Sequence, residues 1–191
     1  PGRLMRIITG KFKGRNLHLV PGLSTRPTTA FNREVIFSVY QDYDGCRVLD
    51  LFAGTGSLGL ETLSRGAKWV DFVEFAPAAL ATILKNIELL GCGESCHLWR
   101  KRADAYLKSC TESYDIIFLD PPYRKNLVNP TLELIKAREL LSPGGIIMVE
   151  HDPREKLLPE FRAWLTREKS SKSSQFSWLS FDIPDQENGE I

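Results

Sequence analysis

The chain has 191 residues, 42% of them hydrophobic and 26% charged, and a net charge of +1. This size and composition predict one compact domain that buries a substantial core without disulfide or metal staples. The sequence has neither the run of about 20 apolar residues that a membrane span needs nor a signal-peptide core behind its basic start. We therefore expect a cytoplasmic protein that makes no membrane contact.

Basic charge is concentrated at the start of the chain. Residues 1–33 contain seven lysine or arginine residues and no acidic residue, so the rest of the chain is net acidic. Arg6–Thr9 and Leu17–Val20 predict the two short strands of a hairpin whose tip is Lys11–Gly14. Its basic side chains and single aromatic ring suit RNA phosphates and a stacked base, although a solvated arm without a partner stays open. A helix over Phe31–Tyr40 is expected next.

The following elements carry a glycine motif. Arg47–Leu51 predicts a short apolar strand, and a helix is expected to begin near Ser57 and to run past Glu61. The intervening Gly54–Gly56 segment permits a sharp turn and the close approach of a ligand, because glycine has no Cβ. Since the helix N-terminus also presents unpaired N–H groups, the unit predicts a site for a nucleotide-type cofactor.

Two acidic residues help to choose between cofactors. Residues 54–59 match the dinucleotide pattern G-x-G-x-x-G, and Glu74 ends the next predicted strand, Trp69–Val73, at about the 20-residue offset of a ribose-binding acid. A dinucleotide-dependent oxidoreductase therefore stays open. Asp50 argues against it, because a carboxylate four residues before the first glycine would repel a pyrophosphate but suit an amino-bearing ligand. S-adenosylmethionine has no phosphate and carries a sulfonium and an ammonium, so it is favoured.

Helices and strands continue to alternate beyond this unit. A helix, a strand, a short helix and a strand are expected in turn over Pro77–Leu90, Cys96–Lys101, Asp104–Lys108 and Tyr114–Leu119. Such regular alternation predicts a doubly wound α/β sheet. Cys92 and Cys96 lack the spacing of a zinc ribbon, so we expect no metal site. Cys46 and Cys110 are interpreted as free thiols of a reducing compartment.

The strand Tyr114–Leu119 runs into the motif Asp120-Pro121-Pro122-Tyr123. Its nearly continuous apolar sequence suits a strand buried on both faces, so Asp120 is expected at the sheet edge where ligands bind. The prolines fix φ and donate no hydrogen bond, so their carbonyls and the Asp120 carboxylate form a rigid set of acceptors for a planar NH2 group. The structural alternative is that the prolines merely end the strand and that Tyr123 packs beneath a loop.

This acceptor set predicts a particular chemistry. The exocyclic amine of guanine or adenine is a poor nucleophile, because its lone pair is delocalised into the ring. Hydrogen bonds to the Asp120 carboxylate and the Pro121 carbonyl would orient that amine for in-line attack on a methyl group. Tyr123 can stack on the base, a contact that contributes about 1–3 kcal/mol in nucleic-acid binding generally. The two motifs together therefore predict methylation of an exocyclic amine.

The C-terminal third predicts two further helices, a turn and three strands. In chain order, they are the helix Val128–Leu141, the turn 142–145, the strand Ile146–Glu150, the helix Arg154–Phe161 and an antiparallel pair over Trp164–Glu168 and Phe176–Ile183. The acidic residues 182–191 predict a frayed tail.

At this point the chain resembles a known family. It is similar to class I S-adenosylmethionine-dependent methyltransferases and, more narrowly, to the RsmD family, which methylates the N2 amine of a guanine in small-subunit (16S) ribosomal RNA. The resemblance extends over nearly the whole chain and is carried by Met5–Gly14, Arg26–Thr28, Leu49–Gly54, Ser64–Ala67 and Asp120–Tyr123.

The resemblance implies a Rossmann-like fold. The expected fold is a mostly parallel seven-stranded sheet with helices on both faces and an antiparallel C-terminal strand, preceded by a β-hairpin. It divides the chain into a basic extension over residues 1–29, a methyltransferase domain over 30–183 and an acidic tail over 184–191. It also implies S-adenosylmethionine as cofactor, ribosomal RNA or the assembling small subunit as partner, and a monomer.

The resemblance also implies roles for individual residues. Asp50 and Gly54–Gly56 would hold the methionine end of the cofactor, Glu74 the ribose hydroxyls, and Asp104 with Ala105 the adenine. The whole expected cofactor set is Asp50, Phe52, Ala53, Gly54, Thr55, Gly56, Glu74, Phe75, Asp104 and Ala105. The expected catalytic set is Asp120, Pro121, Pro122 and Tyr123, and the expected RNA contacts are Arg6, Lys11, Lys13, Arg15, Arg26, Thr28 and Arg33.

Structural alternatives stay open for several of these residues. Glu74 could be a solvated strand end and Asp104 a helix N-cap. Glu61 and Asn86 are interpreted as helix-surface or packing residues and receive no functional role.

Three other activities are kept as alternatives. The first is methylation of adenine N6 in RNA or DNA; DNA is disfavoured because such enzymes generally carry an added recognition domain. A glutamine methyltransferase that acts on protein is not among the three, because that group has asparagine at the position of Asp120. The other two are the dinucleotide-dependent oxidoreductase and a non-catalytic RNA-binding factor.

Overall fold

The computed structural model describes residues 5–22, 30–171 and 173–181. A short hairpin, β1 (Met5–Arg6) and β2 (Asn16–Leu17), precedes the main domain. Helices and strands then alternate along the chain as α1 (Ala30–Val39), β3 (Arg47–Leu51), α2 (Ser57–Ser64), β4 (Trp69–Glu74), α3 (Pro77–Leu90), β5 (Cys96–Arg100), α4 (Ala103–Ser109), β6 (Tyr114–Leu119), α5 (Val128–Ala137), β7 (Leu141–His151), α6 (Pro159–Arg162), β8 (Leu165–Ser170) and β9 (Gln175–Leu179).

One seven-stranded sheet organises the molecule. Its strand order is β5-β4-β3-β6-β7-β9-β8, with β3, β4, β5, β6 and β7 parallel and β9 antiparallel to both of its neighbours. The predicted fold class, including the N-terminal hairpin and the antiparallel C-terminal strand, is confirmed. From β3 the chain adds β4 and β5 on one side of the sheet, and it then crosses over to add β6 on the other side of β3. The topological switch point of the sheet therefore lies between β3 and β6.

Helices cover both faces of the sheet, which explains the apolar strands. Successive residues of β3 and β6 enter opposite hydrophobic clusters: Val48 and Ile116 pack in one, Leu49 and Ile117 in the other. Residues of α1, α2 and α3 belong to the first cluster, and residues of α4 and α5 belong to the second. A strand buried on both faces needs apolar residues at consecutive positions, as the sequence has them.

Several element boundaries differ from the predicted ones. Helix α5 ends at Ala137 instead of Leu141, because Glu139 adopts a φ of 52° and the Leu140 N–H donates to the Ile135 carbonyl at 3.0 Å. This cap turns Leu140 back into the core. The predicted turn 142–145 is instead an irregular part of β7.

The last predicted helix and the hairpin strands are also shorter than expected. Helix α6 begins only at Pro159, where the missing N–H of proline is tolerated in the first helical turn. The hairpin pairs through two residues on each side, and its tip is a series of turns over residues 9–14.

The N-terminal hairpin shares the core of the main domain. Met5, Ile7 and Leu17 are buried in the hydrophobic cluster that contains residues of α2. The predicted boundary at residue 29 and the predicted tail 184–191 fall outside the described residues, so the division of the chain stays a prediction. Within the described part, no helix is long and apolar enough to span a membrane.

Candidate active site

The candidate site lies at the carboxyl edge of the four central strands. Leu51 pairs with Val73 of β4 and with Leu119 of β6, and Leu119 pairs with Val149 of β7. The residues that follow in these strands therefore share one edge of the sheet. Glu74, Asp120 and Glu150 lie along this edge, and Asp50 lies two positions below it.

The glycine loop between β3 and α2 adopts conformations that require glycine. Gly54 and Gly56 have φ of 58° and 77°, and Gly56 caps α2 in the left-handed region. A Cβ on Gly59 would lie 2.4 Å from Cε1 of Phe72, so the helix packs against β4 only because this position has no side chain. At Gly54, a Cβ would meet only the Phe52 carbonyl, at 4.0 Å, so there is room beside the loop for a ligand.

Asp50 is buried beneath the glycine loop. Asp50 is only 1% exposed, and its carboxylate accepts a hydrogen bond from the Gly59 N–H at 3.0 Å. Burial raises the pKa of Asp50 to about 8, an effect that the Gly59 hydrogen bond opposes and the nearby Glu74 carboxylate reinforces. Asp50 therefore ties the first turn of α2 to the end of β3.

Glu74 supports the glycine loop from the neighbouring strand. One carboxylate oxygen accepts from the Gly54 N–H at 2.9 Å, and the other accepts from the N–H groups of Phe75 and Ala76 at 2.7 and 2.8 Å. Glu74 is thus an organised part of the loop and not merely a solvated strand end. Phe75 follows it with 60% of its surface exposed, so an apolar ring is presented at the same edge.

Asp104 and Ala105 lie at the end of β5, in the first turn of α4. The helix is capped by Arg102 and begins at Ala103, so the alternative of Asp104 as N-cap is wrong. Asp104 accepts a hydrogen bond from Arg102 at 3.0 Å, and this contact lowers the pKa of its exposed carboxyl group. Its role towards an adenine stays a prediction.

The Asp120–Tyr123 loop is fixed at both ends. Asp120 directly follows the buried Leu119 and is itself partly buried; Pro121 is buried and Pro122 is exposed. Tyr123 is half-buried, and its hydroxyl lies 2.7 Å from Ser174 Oγ and 3.3 Å from Glu150 Oε1. Burial raises the pKa of Tyr123, so its hydroxyl stays protonated.

The polar residues beside this hydroxyl were not predicted from the sequence. Asn32 of α1, Glu150 of β7 and Ser174 before β9 are buried, and the Asn32 amide and the Ser174 hydroxyl each donate to Glu150 Oε1 at 2.9 Å. The available signal was an acidic residue that ends the predicted strand Ile146–Glu150. Asn32 and Ser174 have no comparable signal, because they reach Glu150 from 118 and 24 residues away.

Glu61 holds the N-terminal arm, which we define as residues 5–20. Its carboxylate accepts the N–H groups of Ile8 and Thr9 at 2.7 and 3.0 Å and pairs with Arg65 at 2.9 Å. It is fully buried, so its interpretation as a surface residue is wrong and the packing interpretation is correct.

Asn86 connects the arm to the glycine loop. It is also fully buried; its amide oxygen accepts the His18 N–H at 2.7 Å, and its NH2 group donates to the carbonyls of His18 and Thr55 at 3.1 and 3.0 Å. The Thr55 hydroxyl donates to the sulfur of Met5 at 3.5 Å. The arm is therefore held directly against the glycine loop.

The predicted RNA contacts divide into three groups. Arg6, Lys11, Lys13 and Arg15 are exposed on the arm, and Lys11 Nζ lies 4.9 Å from the centre of the Phe12 ring. Arg26 and Thr28 lie outside the described residues.

Arg33 forms the third group and is buried. It is only 2% exposed, and its guanidinium donates to the Arg6 carbonyl at 2.7 Å, so it lies under the arm and not on its surface. Burial lowers the pKa of this guanidinium. Its role as an RNA contact stays a prediction.

Metal ligands are not gathered at the site. Among the described residues, no group of three or more His, Cys, Asp or Glu side chains is placed to hold a metal ion. All four cysteines are free thiols in this structure.

Comparison with known proteins gives one consistent group. Residues 5–180 match the family described as conserved hypothetical protein 95. The chain is 42% identical over 160 residues to "Putative rRNA methyltransferase YlbH" of Bacillus subtilis, covering 82% of this chain and 86% of that protein. It is 33% identical over 171 residues to "Ribosomal RNA small subunit methyltransferase D" of Haemophilus influenzae, covering 87% and 89%. Among solved structures, the putative methyltransferase yhhF from Escherichia coli is similar with a TM-score of 0.80 at 32% identity, covering 92% of this chain and 97% of that one.

Proposed function

We propose a reaction from one established premise: the chain belongs to the family described as conserved hypothetical protein 95, the RsmD family. It is a methyltransferase of ribosomal RNA that uses S-adenosylmethionine. We infer further that the accepting atom is the exocyclic N2 amine of a guanine in small-subunit 16S RNA. The observation that carries this proposal is the position of Asp120–Tyr123 at the end of β6, beside the glycine loop that ends β3.

The residues at this edge fit S-adenosylmethionine. Gly54 leaves open space beside the loop, and loop-bound Glu74 places negative charge next to it, with Asp50 buried below. This charge suits a ligand with a sulfonium and an ammonium and opposes a pyrophosphate. Asp50 and the loop would hold the methionine end, Glu74 the ribose, and Phe75 with the Asp104–Ala105 turn the adenine.

The protein's own contribution is to orient the amine. When bound, S-adenosylmethionine supplies an electrophilic methyl group. The Asp120 carboxylate and the Pro121 carbonyl accept hydrogen bonds from the two N–H groups of the guanine N2 amine. These hydrogen bonds direct the nitrogen lone pair towards that methyl group. Transfer would break the bond between the methyl group and the sulfonium sulfur and form the nitrogen–carbon bond; the amine would then lose one proton, which Asp120 would accept. Tyr123 stacks on the base.

The arm supplies the contact with RNA outside the pocket. Its exposed Lys11, Lys13 and Arg15 lie on a segment that Glu61 and Asn86 fix to the main domain. The target guanine would be extruded from its stack to reach Asp120. A small-subunit particle as substrate, a cytoplasmic location and a monomeric state stay predictions.

The test is transfer of labelled methyl from S-adenosylmethionine to unmodified small ribosomal subunits and to free 16S RNA. Nucleoside analysis of the product should give N2-methylguanosine. N6-methyladenosine would keep amino-methylation and overturn the choice of guanine. Absence of label from both substrates, with a chain shown to bind S-adenosylmethionine, would refute the proposed substrate.

A further inference from the structure

The Tyr123 hydroxyl contacts two segments that are distant in sequence, and a third segment is hydrogen-bonded to both of them. Asn32 comes from α1, Glu150 from the end of β7, and Ser174 from the turn that leads into β9. All three are buried, whereas Tyr123 is half-buried at the candidate site. We call Asn32, Glu150 and Ser174 the hydroxyl clamp.

Hydrogen bonds connect the clamp and the Tyr123 hydroxyl in one network. The Ser174 hydroxyl and the Asn32 amide donate to Glu150 Oε1, both at 2.9 Å. The Tyr123 hydroxyl and Ser174 Oγ are hydrogen-bonded at 2.7 Å, and either hydroxyl can be the donor. The Tyr123 hydroxyl also lies 3.3 Å from Glu150 Oε1. The Tyr123 hydroxyl is therefore held by Ser174 and Glu150 together.

Anchoring the hydroxyl constrains the aromatic ring. The hydroxyl lies on the long axis of the ring, opposite Cβ, so fixing both ends sets where the ring axis points. Pro121 and Pro122 already restrict the backbone before Tyr123. Glu150 is next to Asp120 in the register of β6 and β7, since Leu119 pairs with Val149. The clamp therefore fixes the ring relative to the carboxylate that orients the amine.

We propose that the hydroxyl clamp positions the Tyr123 ring against the target base, and that Glu150, Ser174 and Asn32 are positioning residues for methyl transfer. The proposal rests on the proposed function. The clamp does not touch the reacting atoms. It fixes the Tyr123 ring and thereby limits the number of orientations that a base stacked on this ring can adopt. Its loss lowers the fraction of bound RNA that is ready to react, and it leaves the cofactor site and the arm unchanged.

The experiment measures single-turnover methyl transfer to unmodified small subunits at saturating RNA, together with cofactor affinity by calorimetry. Tyr123→Phe keeps the ring and removes the hydroxyl. We expect its rate to fall about 3- to 10-fold, the effect of losing one hydrogen bond, with cofactor affinity unchanged. Ser174→Ala should give a similar loss, and the double variant should be no slower than either single variant, because both remove one connection.

Two further variants separate positioning from folding. Ser177→Ala removes a nearby buried serine hydroxyl within β9, which contacts His151 and Glu168 and not Tyr123, and it should keep the wild-type rate. Glu150→Gln keeps an oxygen acceptor and should retain more activity than Glu150→Ala. A wild-type rate for Tyr123→Phe, an equal loss for Ser177→Ala, or additive losses in the double variant would each overturn the proposal. Wild-type protein that methylates no RNA would refute the proposed function, and the clamp proposal would fall with it; an active wild type with an unaffected Tyr123→Phe refutes the clamp alone.

Discussion

Replacement of Glu61 by alanine should destabilise the protein strongly, because this carboxylate holds the arm from inside the core. It accepts the Ile8 and Thr9 N–H groups and pairs with Arg65, whose side chain is 12% exposed. The substitution leaves two backbone donors and one guanidinium without that acceptor. Breaking a buried ion pair from one side costs about 3–5 kcal/mol, and each stranded donor adds to the cost unless water reaches it. We therefore expect the free energy of unfolding to fall by about 3–5 kcal/mol.

The measurement is urea unfolding followed by circular dichroism, with thermal melting as a second reading. At this chain length, the expected loss lowers Tm by roughly 6–20 °C. Ser64→Ala removes a weaker anchor, whose hydroxyl accepts the Phe12 N–H and donates to the Thr9 carbonyl, and it should cost about 1–2 kcal/mol. Glu88→Ala changes an exposed glutamate on α3 and should stay within about 0.5 kcal/mol. A Glu61→Ala midpoint equal to that of Glu88→Ala would refute the reasoning.

Three other predictions concern the site and its charges. Asp120→Ala should abolish methyl transfer while cofactor affinity stays within several-fold, and retained turnover would remove Asp120 from the mechanism. Neutralising Lys11, Lys13 and Arg15 together should weaken RNA binding and lower the slope of log affinity against log salt by about 0.7–0.9 for each lost phosphate contact; an unchanged slope would leave the tip without a role in RNA binding. Burial raises the pKa of Asp50 to about 8, so folding favours its protonated form, and this stability is present below the unfolded pKa near 4 and is lost as pH rises towards 8. In the wild type, the free energy of unfolding should fall by up to about 1.4 kcal/mol per pH unit from this group, and Asp50→Asn should remove that fall. Urea unfolding at pH 5.5 and 7.5 measures it; an equal change of the free energy of unfolding with pH in both proteins would contradict the prediction.

The elements that local sequence determines were predicted well. Tyr114–Leu119 and Arg47–Leu51 are correct at both ends, because each is an apolar run that stops at a polar or glycine-containing loop. Helix Pro77–Leu90 is also correct, since proline stands at its first position and Gly91 follows its last. The order of these elements was enough to predict the carboxyl edge and the residues that meet there.

Contacts between distant segments could not be predicted in this way. Glu61 and Asn86 occur in helices whose sequence predicts an amphipathic helix, and their backbone partners lie 31 to 68 residues away. A polar side chain on a helix is expected to face solvent unless another segment packs over it. The sequence does not show that the N-terminal arm packs over Glu61 and Asn86. The end of α5 shows the same limit, because Glu139 enters the left-handed region without glycine so that Leu140 can reach the core.

The buried polar residues explain why the candidate site has a defined shape. Asp50, Glu61, Asn86 and Glu150 each bind backbone or side-chain donors of another segment, and each lies between the apolar sheet and a loop or arm that carries a proposed function. Burying such groups costs desolvation free energy that apolar residues would avoid, so stability alone does not account for them. Hydrogen bonds have a preferred length and direction, whereas apolar contacts tolerate sliding. We therefore infer that these residues fix the glycine loop, the arm and the Asp120–Tyr123 loop in one register, as transfer between two separately bound substrates requires.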